Sequence, residues 1–151
     1  MGLVGKLEAE ILILAPADKF HEVWGGRPHH MSTVTPGRVQ KVHLHEGAWG
    51  KVGSVIEWSY VLDGKSQAVK QIVEVIDKEN KTVTFKLIEG DPMKEYKSFK
   101  ATVQTISKGE ATWVHWTFEY EKLNKEIAAP VKLLGFVIHM SEDLDDHLIQ
   151  A

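Results

Sequence analysis

The stretch KEIAAPVKLLGFVIHMSEDLDDHLIQ, residues 125–150, is the one long segment whose apolar residues recur at helical rather than alternating spacing. Set out at about 100° per residue, Phe136, His147, Met140, Leu133, Leu144, Val137, Leu148, Leu134, Ile138, Val131 and Ile149 fall within one arc roughly 220° wide. Glu142, Gly135, Asp146, His139, Lys132 and Asp143 fill the remainder. A helix lying on a single surface needs an apolar stripe of only about 100° or somewhat more. The surplus predicts a second contact: a partner chain, additional core, or the wall of a ligand-filled hollow. What supplies that contact decides the fold.

Upstream of this segment the period is two. In GKLEAEILIL, residues 5–14, Leu7, Ala9, Ile11 and Ile13 share one face and Lys6, Glu8 and Glu10 the other, the pattern of an antiparallel strand with one wet side. Ala15-Pro16-Ala17 opens a short helix, because proline suits a first turn. Phe20, Val23 and Trp24 form its apolar stripe and Gly25-Gly26 ends it. A second short, irregular helix is expected over residues 27–33. Strand then follows strand: RVQKVHLH, SVIEWSYVL, SQAVKQIVEVID, KTVTFKLIEG, EYKSFKATVQTI and ATWVHWTFEYE. Asp63-Gly64 reads as a hairpin turn, since both residues tolerate positive φ. Seven strands joined mostly by tight turns must be largely antiparallel neighbours.

Composition narrows the functional classes. At 151 residues the chain has the length of one domain, 1–151, with material for a single core. A formal net charge of −3 argues against a nucleic-acid partner, which demands a basic surface. Without cysteine there is neither a disulfide framework nor thiolate chemistry. The first residues lack a signal-peptide pattern, and no apolar run is long enough to span a bilayer, so a cytoplasmic protein without stable membrane insertion is expected. The sequon Asn80-Lys81-Thr82 is then expected to go unused.

The stretch GAWGKVGS, residues 47–54, has the raw material of a phosphate-binding loop but not its order. A P-loop requires G-x-x-x-x-G-K-[ST] leading into a helix. Here only Ala48 and Trp49 separate Gly47 from Gly50, Val52 follows Lys51, and a strand comes next. It reads as a glycine-rich hairpin. Nor do the eight histidines suggest a metal centre: His43 and His45 share a strand face and His29-His30 are adjacent, but no zinc-ligand spacing accompanies them.

Four segments together, LHEGAWGKVGSV (44–55), NKTVTFKLIEGD (80–91), MKEYKSF (93–99) and VHWTFEYEK (114–122), followed by the long terminal helix, resemble the plant major latex proteins. These sit with the birch pollen allergens and the class 10 pathogenesis-related proteins in one superfamily. The resemblance covers the whole chain. It implies an α+β helix-grip fold of the START-like type: a seven-stranded curved antiparallel sheet around a long C-terminal helix, with two short helices between the first two strands. It also implies a large cavity between sheet and helix, which would supply the missing contact.

Alternation assigns inward faces to Ile56, Trp58 and Tyr60, to Val83, Phe85 and Leu87, and to Phe99, Ala101 and Val103. In the last strand hydrophobicity selects Val114, Trp116, Phe118 and Tyr120. The resemblance implies the opposite face, because enzymes of the wider superfamily place a polar residue inward at what looks like the His115 position. The expected ligand contacts are therefore Trp58, Tyr60, Phe85, Leu87, Phe99, His115, Phe136, Met140 and His147, the last placed to meet a polar head at the cavity mouth. The function this implies is non-catalytic binding of a small hydrophobic or amphiphilic ligand by a monomer or weak dimer. No cofactor, metal or catalytic residue is expected. The alternative is a class 10 ribonuclease using Lys51 with Glu89 or Glu95; a condensing enzyme would rest on His115 nearly alone.

Overall fold

The computed structural model describes residues 2–150. Among them seven strands form one antiparallel sheet: β1 (Val4–Ile13), β2 (Val39–Glu46), β3 (Val55–Leu62), β4 (Lys65–Asp77), β5 (Thr82–Gly90), β6 (Tyr96–Lys108) and β7 (Ala111–Lys122). Their order is β1-β7-β6-β5-β4-β3-β2, so every sequential pair from β2 to β7 is a neighbour and β1 closes the far edge against β7. The turn at Asp63-Gly64 has positive φ at both residues, 55° and 76°, as a two-residue hairpin of matching twist demands. Register shifts between Lys70 and Gln71 and between Val73 and Val75 mark one bulge in β5, at Ile88, and one in β4, at Glu74, which bend the sheet around its concave face.

Helix α1 (Ala17–Gly26), a 3-10 turn (Pro28–His30) and the single turn α2 (Met31–Val34) lie between β1 and β2, at opposite sheet edges. Helix α3 (Val131–Gln150) lies against the concave side. It begins six residues later than the expected 125. A residue preceding proline is pushed out of the helical region, so Ala129 cannot continue a helix into Pro130. Residues 124–128 instead form a tied loop: the Glu126 N–H donates to Asn124 Oδ1 at 2.9 Å, and the Tyr96 hydroxyl donates to the Ala128 carbonyl at 2.6 Å.

Phe136, Met140 and Leu144 point into the core, and burial of each contributes about 1.5–3 kcal/mol. Much of the remaining apolar arc is covered by elements other than the sheet centre. Besides β3 and β7, helix α3 touches α1, α2 and β1. Two buried polar residues pin it. Asp145 accepts the Leu14 N–H at 3.1 and 3.0 Å, one distance to each carboxylate oxygen, and the Ala15 N–H at 2.8 Å. Ser141 Oγ accepts the Trp116 indole N–H at 2.8 Å and donates to the Val137 carbonyl at 2.8 Å.

Candidate functional site

Between the concave sheet and α3 lies an apolar hollow. Seven of the nine expected contacts line it: Trp58, Tyr60, Phe85, Leu87, Phe99, Phe136 and Met140. So do Trp24, Gln71, Trp116 and Leu133, which sequence reasoning did not select as ligand contacts. Trp116 was legible from the hydrophobic alternation of β7, and Trp24 from the stripe of α1. The hollow is small. Its volume is about 60 Å³, whereas an apolar cavity that takes benzene measures roughly 150 Å³. The large cavity implied by the resemblance is therefore not open in this structure. Aromatic side chains fill the space: Trp24 packs against Trp58 at 6.2 Å, Phe85 at 6.5 Å and Trp116 at 5.1 Å between ring centroids.

A wider opening of about 600 Å³ adjoins it at the N-terminal end of α3. The hairpin tip around Asp63, the 3-10 turn Asp91–Lys94 and the loop before α3 form its rim. Tyr60, Pro92 and Leu133 border both spaces and so form the neck between them. Tyr60 packs on Phe136 at 5.4 Å and its hydroxyl donates to Gln67 Oε1 at 3.0 Å, while burial pushes its phenol pKa upward. The Tyr96 phenol, committed to Ala128, is pushed up to about 12, mainly by burial. Across the rim, Lys132 Nζ sits 2.9 Å from Asp63 Oδ2. Lys94 pairs with Asp91 at 3.1 Å. Lys65 also borders the opening.

The sequence and the fold find counterparts among known proteins. The sequence profile of the pathogenesis-related protein Bet v 1 family matches residues 2–151. This chain belongs to that family. MLP-like protein 34 of Arabidopsis thaliana is 50% identical over 145 residues, which make up 95% of this chain and 46% of that protein. The chain thus spans about half the length of that relative. It spans 94% of MLP-like protein 43 from the same plant, with 49% identity over 149 residues. The crystal structure of ginseng major latex-like protein 151 from Panax ginseng shares 42% identity and a TM-score of 0.95, over 97% of this chain and 98% of that one. The resemblance carried by the four motifs thus holds, as does the helix-grip architecture.

Two of the expected contacts fall outside the hollow of this Bet v 1 family member. His115 is on the convex face, opposite to the expectation: Nδ1 lies 3.1 Å from Glu10 Oε2 and Nε2 3.0 Å from Glu8 Oε1. Hydrophobicity chose the face correctly, since Val114, Trp116, Phe118 and Tyr120 are all buried. Burying four apolar side chains outweighs any arrangement that seats one imidazole inside. His147 is exposed and borders neither space. It shares a wheel angle with Met140 but lies 16 residues past Val131, about 24 Å along the axis from the mouth. A wheel gives direction, not where the covering strands stop.

His115 makes a prediction of its own. Partial burial acts to lower its pKa, but the hydrogen bonds to Glu10 and Glu8 together outweigh it and raise the pKa above 6.5. A histidine with a higher pKa folded than unfolded stabilises the fold fully below the unfolded value, and that contribution fades as pH rises through the folded value. Both carboxylates are substantially solvated, so the effect is small, under about 1 kcal/mol. His115→Gln should lower Tm relative to the parent near pH 6 and converge with it above pH 8. Parallel curves would show that the imidazolium contributes nothing.

The glycine hairpin holds no phosphate cradle. Gly47, Gly50 and Gly53 all have positive φ, between 81° and 90°, which accounts for the glycines by backbone geometry. Ser54 Oγ closes the loop, donating to the Ala48 carbonyl at 2.7 Å and accepting its N–H at 3.0 Å. Trp49 stacks on His29 at 4.0 Å and 27°. Lys51 is exposed at the start of β3, whereas Glu95 borders the mouth beyond the opposite end of that strand, and Glu89 pairs with Lys70 at 3.5 Å. The acid and base of the ribonuclease reading are not brought together. His43 and His45 lie on the edge strand β2, where His45 Nε2 meets Glu57 Oε1 at 2.9 Å. Among the described residues no cluster of three metal-ligating side chains forms. No helix among them is long and apolar enough to cross a membrane.

Proposed function

We propose that this chain is a non-catalytic cytoplasmic binder or carrier of small hydrophobic or amphiphilic molecules of the fatty-acid, lysophospholipid, steroid or plant-hormone type, serving plant defence or stress responses. One observation carries the reading: an almost wholly apolar hollow meets an open, partly cationic mouth through the shared neck of Tyr60, Pro92 and Leu133. An apolar tail enters through the neck and displaces Phe136, Leu133 and Met140 rather than filling a ready-made void. Each methylene removed from water returns about 0.8 kcal/mol towards that displacement. The head stays at the rim, where Lys65 and the ion pairs Lys94–Asp91 and Lys132–Asp63 offer charged partners.

Titration with a fluorescent fatty-acid analogue tests the reading, and saturable binding is expected. Leu133→Trp should narrow the neck. Excluding even two methylenes costs about 1.6 kcal/mol, more than tenfold in affinity. Unaltered affinity in a folded Leu133→Trp protein would place the ligand elsewhere, and no saturation with any of several chemotypes would remove the binding function.

A further inference from the structure

The polar groups around the hollow are unequally satisfied. The Trp116 indole N–H is held by Ser141, and the Tyr60 hydroxyl by Gln67. The Trp58 indole N–H donates to Gln71 Oε1 at 2.8 Å. An indole nitrogen can only donate, so this bond fixes the Gln71 carbonyl towards Trp58 and leaves the Gln71 amide NH₂ as the outward-facing donor. Trp24 differs from all of these. It lines the hollow, is only 3% exposed, and its indole N–H is buried without an acceptor. A donor in this position costs the fold more than a satisfied bond returns, and native structures rarely leave one without a reason. A trapped water is a poor remedy, since it needs two to four polar partners and the walls here are almost entirely apolar. Aromatic rings do surround Trp24, with Trp116 edge-on at 5.1 Å and 87° and Phe85 at 6.5 Å and 67°, but an N–H over a ring is a second-order contact.

We propose that Trp24 is a specificity-determining residue: its indole N–H selects guests whose buried end carries a hydrogen-bond acceptor, a ketone or ester carbonyl, over pure hydrocarbon of the same shape. The inference rests on the binding function proposed above and adds the chemistry of the buried end. Among the described residues that line the hollow, the buried polar atom left without a partner is a donor, the Trp24 indole N–H. A carbonyl oxygen has two lone pairs and no proton, so it satisfies Trp24 without bringing a new unpaired donor into the core.

Acetophenone and α-methylstyrene form the test pair, equal in shape and differing by a carbonyl oxygen in place of a methylene. Calorimetric titration of the wild-type protein should show acetophenone bound about tenfold more tightly. Trp24→Phe keeps an aromatic ring but removes the donor, and should cut the ratio of the two affinities to less than about twofold, whatever the smaller ring does to both affinities together. Wild-type protein with ¹⁵N-labelled indoles gives an independent reading: acetophenone should move one buried indole proton downfield and leave those of Trp58 and Trp116, already bonded, in place. Equal affinity for the two probes overturns the proposal while leaving the binding function intact, as does a preference that survives Trp24→Phe. Failure of both probes to bind overturns this inference, and the binding function falls with it only if the fluorescent fatty-acid analogue and the other chemotypes also fail to saturate.

Discussion

Asp145→Ala is expected to lower the unfolding free energy by about 3 kcal/mol, although the residue lies outside the apolar core. Its carboxylate is the acceptor for the backbone N–H groups of Leu14 and Ala15, where β1 ends and the chain turns towards α1. Ala15 is completely buried and Asp145 is 8% exposed, so water cannot replace the oxygen lost to the Ala15 N–H, whereas Leu14 is exposed. Each stranded donor costs about 1–3 kcal/mol. Denaturant unfolding should show the midpoint fall with an unchanged slope, and Tm should fall by roughly 6–12 °C. Asp145→Asn keeps one acceptor oxygen and should lose about half as much. A change below about 0.5 kcal/mol in Asp145→Ala would show that the carboxylate does not hold the β1 end.

Phe136→Ala should cost more still, about 3–5 kcal/mol, because it removes a buried ring that packs on Tyr60 and leaves a void beside an existing one. The direction of its ligand dependence is the more telling readout. In the parent, a guest must displace Phe136; in the variant that space is already vacant. At one fixed concentration, a hydrophobic ligand should raise the variant's Tm by more than the parent's, since each tenfold fall in Kd adds about 1.4 kcal/mol of stabilisation. Equal ligand-induced shifts would show that the ligand does not occupy the space of the Phe136 ring.

The strands were readable because alternation is a local signal that burial enforces globally. In β3, Ile56, Trp58 and Tyr60 turn inward as their polar neighbours demand, and in β5 Val83, Phe85 and Leu87 do the same. Within the site the same rule located five lining residues, Trp58, Tyr60, Phe85, Leu87 and Phe99, and the helical period located Phe136 and Met140. Alternation would also have placed His115 outside, had the analogy with enzymes of the superfamily not overruled it. The features that escaped depend on distance along or across the structure. Asp145 shares the wheel angle of Ile138, yet only the position of Leu14 and Ala15 explains why a carboxylate is buried there. His147 has the right angle at the wrong end of α3. The size of the hollow was not legible at all, because it depends on how Trp24, Trp58, Phe85 and Trp116 pack around one another.

Strand β1 touches the sheet only through β7, with Val4 opposite Glu121 and Ile13 opposite Thr112. During synthesis the first strand to leave the ribosome must therefore wait for nearly the entire remainder before it finds its mate. Contacts of such wide sequence separation slow folding, because loop-closure entropy is spent before the pairing rewards it. In the meantime an alternating segment with Leu7, Ile11 and Ile13 on one side stays available to chaperones. The last strand to be translated is the one that completes the sheet, and a nascent chain stalled before residue 111 has no place to put its own beginning.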